Sequence, residues 1–204
     1  MLKSLLTFVF IAGCKLALCQ TAEDFNKGTF TLFPHYKEDV EYFANIIPDS
    51  TYLYWQCVYN PGPYFHQAKE QIVFEKGDPK YTKLIKKSKS GNGFMVSCPP
   101  GFCSYYIIAI RPDKTILQVN NSQKFKTFLG KIDNLDEVRL AVRDQHYTIH
   151  NNSMKSGSYQ ERQDYYLLYL GDWESDMISD MKTSTKAILT KSGDFKILES
   201  TSYK

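Results

Sequence analysis

His146 and His150 stand four residues apart with Asp144 close by, a spacing that puts both imidazoles on one face of a helix or a strand and within range of a shared cation. The zinc-protease helix needs a Glu directly after the first His, and Tyr147 holds that place. The pair is therefore a weak metal candidate, and two polar residues near the junction of a strand and a loop is the simpler reading. Cys57 with His66 would form a nucleophile and base if the imidazole drew off the thiol proton. A single thiol inside an aromatic run reads more simply as a small buried side chain. Asp172, Glu174, Asp176 and Asp180 are spaced like the opening of a calcium loop, but Met177 stands where an EF-hand needs glycine and Thr183 where its bidentate Glu belongs. A solvated acidic stretch is the better description. The chain has no Gly-x-Ser-x-Gly elbow and no phosphate-cradling glycine loop, so no catalytic group and no cofactor is expected.

Cys98 and Cys103 bracket Pro99, Pro100, Gly101 and Phe102. Pro100 presets the second turn position and Gly101 supplies the positive φ of a type II turn, so the flanking strands leave side by side with both sulfurs within bridging distance. A Cys98–Cys103 disulfide is expected, against a bridge from Cys57 to one of the two, or a redox or metal pair, for which the gap is too long.

Tyr52, Tyr54, Trp55, Tyr59, Tyr64 and Phe65 form the densest aromatic group. On a strand, Leu53, Trp55, Cys57 and Tyr59 share one face while Tyr52, Tyr54, Gln56 and Val58 share the other. One face must be core. The second, with Tyr64 and Phe65 beyond it, makes Tyr52, Tyr54, Tyr64 and Phe65 the candidate binding surface, since flat rings suit sugars or partner chains. Asn120 and Asn151 each begin an Asn-x-Ser glycosylation acceptor, which matters in a eukaryote alone.

These groups need an address and a scaffold. Lys3 followed by an apolar run over residues 5–12 reads as an export signal, too short to span a membrane. Ala17 and Cys19 suit a cut that removes residues 1–19. In the alternative, Ile11, Ala12, Gly13 and Cys14 form a lipobox, residues 1–13 are removed and Cys14 is lipidated as a membrane tether. An exported chain, periplasmic or secreted, meets an oxidising compartment, in keeping with a disulfide.

Loss of Lys3 and Lys15 lowers the formal charge from +3 to +1, which argues against nucleic acid as a partner because phosphate neutralisation needs a basic surplus on one face. Lys80, Lys83, Lys86, Lys87 and Lys89 read as a solvated helix face. Of the 204 residues, the roughly 185 left over residues 20–204 suit a single domain with a real core.

Helical spacing of Val40, Phe43, Ala44 and Ile47 predicts a helix within residues 34–47, stopped by Pro48. Strands are predicted at 51–59, 71–75, 94–97, 104–110, 115–120, 147–149, 165–170, 186–190 and 195–199. Asp78 with Pro79 opens a second helix, residues 125–129 a short third, and Asp133 or Asn134 caps a fourth that carries Leu135, Val138, Ala141 and Val142. Residues 151–163 read as a flexible loop. The fold class is α+β: one domain, a mainly antiparallel sheet built from hairpins, with three to four helices packed on one face.

The functional expectation is a non-enzymatic exported or cell-envelope binding module that contacts a protein, glycan or small ligand, with membrane contact through the lipid anchor alone. A small exported hydrolase or redox enzyme using His146, His150 or a cysteine is the alternative, and a surface structural component the second.

Overall fold

The structure, a computed structural model, describes residues 25–26, 28–62, 69–85, 93–97, 103–172 and 182–203. The elements in chain order are β1 (Thr31–Leu32), α1 (Asp39–Ala44), β2 (Tyr54–Asn60), β3 (Gln71–Gly77), a 3₁₀ helix (Pro79–Leu84), β4 (Phe94–Ser97), β5 (Cys103–Ile110) and β6 (Ile116–Val119). These are followed by α2 (Ser122–Leu129), α3 (Leu135–Asp144), β7 (Tyr147–Thr148), β8 (Gly157–Glu161), β9 (Tyr165–Asp172), β10 (Lys182–Thr190) and β11 (Phe195–Tyr203).

Two antiparallel sheets replace the expected single one. The first runs β3-β2-β5-β4, with β6 also on β5; the second runs β1-β8-β9-β10-β11, with β7 also on β9. Each sheet is built around a strand that is apolar along nearly its whole length, and the reason is visible in the core. On β5, Tyr105, Ile107 and Ala109 face the helices together with Trp55 and Cys57 of β2, while Tyr106 and Ile108 pack with Val58 and Ile85 on the opposite face. On β9, Tyr166, Leu168 and Leu170 face a core that includes Ile132, Val138 and Val142. Its alternate residues Tyr165, Leu167 and Tyr169 pack with Phe25, Phe30 and Ile188. A strand covered on both faces loses the period-2 alternation of a half-buried one.

Helix α3 lies between the sheets. Leu140 enters the core of the first sheet, and Val138 and Val142 enter that of the second; at 100° per residue these sets point in nearly opposite directions. Asn134 caps the helix by accepting from Asp136 N and Glu137 N, each at 3.0 Å, which satisfies two of the donors that a helix start leaves open. Glu137 is fully buried and accepts from Ile47 N and Asp133 N, both at 2.7 Å. It thereby ties the first turn of α3 to the chain that leaves α1. At the far end Asp144 accepts from Met95 N of β4 (2.8 Å) and from Ser122 Oγ of α2 (3.0 Å). Helix α2 ends at Gly130, whose φ of +64° is left-handed. An added Cβ there would sit 2.5 Å from Asp49 Cβ, so both the turn and the close approach require glycine.

Local chemistry is borne out where a cap or breaker announces it. Asp78 accepts from Lys80 N with Pro79 at the first helical position, although the element that follows is a 3₁₀ helix of six residues. Residues 151–163, expected as a loop, contain β8, which pairs with both β1 and β9.

Candidate functional site

A cleft of about 280 Å³ opens where residues 36–42, α3 and the chain from β7 to His150 meet; it is lined by Tyr36, Tyr42, Arg139, Leu140, Arg143, Tyr147, Thr148, Ile149 and His150. Most of the lining is apolar or aromatic, and two guanidinium groups supply the charge. That combination is the usual composition of a small-molecule site. Hollows of about 660 and 590 Å³ elsewhere are broader and more open surfaces, and one of about 100 Å³ between α2 and β11 is too small for more than a fragment.

The two arginines are one helical turn apart, so they share a face of α3. Their surroundings differ. Arg143 donates to Asp39 Oδ1 at 2.5 Å, and Asp39 also accepts from the hydroxyls of Tyr36 (3.2 Å) and Tyr105. Burial pushes the Asp39 carboxyl up, but the Arg143 charge and the hydrogen bonds from Tyr105, Arg143 and Tyr36 outweigh it, so its pKa lies below the usual carboxylate value. Burial and hydrogen bonding to that carboxylate hold the Tyr105 hydroxyl protonated far above its ordinary range.

Arg139 is 7% exposed and forms no ion pair with a carboxylate among the described residues. It makes one hydrogen bond, from Nη2 to the Pro34 carbonyl, and its guanidinium stands over the rings of Phe33 (5.1 Å) and Tyr42 (5.7 Å). The nearby Asp136 is occupied by Lys37 at 2.9 Å and by Asn45. Around the cleft, then, Lys37 pairs with Asp136 and Arg143 with Asp39, and Arg139 carries the charge left over.

The residues singled out from sequence do not build this site, His150 excepted. His150 reaches it with Nε2 3.1 Å from Thr148 Oγ1 and Nδ1 3.1 Å from Ser156 Oγ. His146 is exposed at a φ of +64° just past α3, and no group of three or more metal-binding side chains gathers among the described residues. Tyr54 is 1% exposed and donates to Glu75 Oε2 at 2.7 Å. This corrects its place in the candidate binding surface: the second face of β2 is covered as fully as the first. Tyr52 is half-buried against Phe128 and donates to Asp49, while Tyr64 and Phe65 lie outside the described residues, as do His66, Cys14, Cys98 and the 173–181 part of the acidic stretch. Cys57 is a free buried thiol whose pKa burial pushes well up, so it is not a thiolate at neutral pH. The register sets Ser97 opposite Cys103.

Sequence reasoning passed over Arg139 and Arg143 because charges four apart on a helix usually mean a solvated stripe. The available signal was Leu140, which faces away from Val138 and Val142 and leaves α3 no broad solvent face. No protein-family model, characterised protein or solved structure matches the chain.

Proposed function

We propose that this chain is an exported, non-enzymatic binding protein that holds a small ligand in the cleft between residues 36–42, α3 and β7. The observation that carries the reading is the lining itself, an apolar and aromatic hollow with two guanidinium groups on it. Export rests on the apolar run after Lys3, with release at Gln20 as the leading outcome and a lipid tether on Cys14 as the alternative. A Cys98–Cys103 bridge belongs to the same reading, since export brings the chain to an oxidising compartment.

The test uses the ¹⁵N-labelled mature chain and a set of small aromatic fragments. Amide shifts should concentrate in residues 36–42, 139–143 and 147–150, and Ile149→Trp, which fills the cleft, should abolish them while circular dichroism stays unchanged. Shifts that gather elsewhere, or none at millimolar fragment, overturn the reading.

A further inference from the structure

We infer that the ligand of this cleft is a small organic acid, a single carboxylate on an aromatic or aliphatic body, held through Arg139. The inference rests on the cleft reading above and adds to it the ligand's charge and the residue that selects it.

Charge comes first. A buried guanidinium stays protonated at any physiological pH, and placing it in a protein interior without a counter-ion is costly. Most buried cations resolve this with an acid nearby, as Arg143 does with Asp39. At Arg139 the protein supplies a carbonyl and two ring faces, which position the group and ease its desolvation without neutralising it. The two acids that act on the arginines, Asp39 and Asp136, are already paired with Arg143 and Lys37. One negative charge from outside would supply the counter-charge that Arg139 lacks.

Donor geometry points the same way. Arginine has five N–H donors and the Pro34 carbonyl takes one. No nitrogen of Arg139 is sealed inside the protein without an acceptor, so its remaining donors are open to solvent, and the residue lines the cleft. A planar fork with donors to spare suits the two oxygens of a carboxylate. The rest of the lining fixes the body: Tyr36, Tyr42, Leu140, Tyr147 and Ile149 offer rings and aliphatic surface, and about 280 Å³ limits the ligand to one ring or a short chain.

Calorimetry on the mature chain tests this with 3-phenylpropionate, the matching neutral 3-phenylpropanamide and the cationic 3-phenylpropylamine as probes. The acid should bind about ten- to a hundredfold tighter than the amide, the gain expected of a charge-assisted hydrogen bond, and the amine should not bind. Arg139→Gln should erase the difference between acid and amide while keeping amide affinity, and Arg139→Lys should keep only part of it, because an ammonium lacks the fork. Equal binding of acid and amide to the wild-type chain, or tighter binding of the amine, overturns the organic-acid inference and leaves the cleft reading standing. Binding of none of the three removes both. The wild-type comparison needs no variant, so it decides the matter even if Arg139→Gln fails to fold.

Discussion

Asp39 concentrates the electrostatics of the site in one side chain. It neutralises Arg143 and accepts from two tyrosine hydroxyls, and its pKa sits below that of an unfolded aspartate near 4. A carboxylate with a lowered folded-state pKa contributes stability that is fully present above the unfolded value and is lost as pH falls through the folded one. Asp39→Asn should therefore cost about 2 kcal/mol near neutral pH, where Arg143 loses its counter-charge, and should flatten the acid limb of the stability profile. Urea denaturation at a series of pH values between about 2 and 7 checks both effects.

Glu137 shows what a whole element needs in order to sit where α3 sits. Burial raises its pKa against the lowering effect of the backbone N–H groups of Ile47, Asp133 and Asn134, so the sign is the reverse of that for Asp39. Its contribution is fully present below the unfolded value near 4.3 and falls as pH rises through the folded one. Glu137→Gln should remove that slope and cost about 1–3 kcal/mol at neutral pH, because an amide offers one acceptor where two N–H donors need one each. The same denaturation series reads it, in a window above that of Asp39. Helix starts of this kind were legible from sequence wherever a cap residue advertised them, as at Asp78 and Asn134. Strand β8 was not, because Gly157 to Glu161 is too polar for an apolar run and is a strand through its partners β1 and β9, which are distant in the chain. The cleft was invisible for the same reason. Pro34 and Asp39 lie about a hundred residues from the arginines they meet, and local spacing carries no trace of such a meeting.

At the scale of the molecule the two sheets share a helix, and their stabilities should be coupled through it. Leu140 is 1% exposed in the core of the first sheet, yet its helix is also part of the second core through Val138 and Val142. Leu140→Ala should cost about 3 kcal/mol from lost burial and the cavity left behind. Hydrogen exchange should then show amides of β5 and β9 losing protection by the same amount, as one cooperative unit. Loss confined to β5 would mean that the sheets open separately, against the single domain expected for residues 20–204.

The ten residues of α3 have no idle member. Asp136 holds Lys37 and Asn45, Glu137 the two backbone donors, Arg139 and Arg143 the cleft and Asp144 the contacts to β4 and α2. Leu135, Val138, Leu140, Ala141 and Val142 fill the two cores. An ordinary surface helix accepts replacement on its outward stripe, so its record of tolerated substitutions rises and falls every three to four positions. Here that rhythm should be absent. Residues 135–144 form an unbroken block of constraint, and the arginines of the cleft inherit their rigidity from neighbours held for reasons unconnected with any ligand.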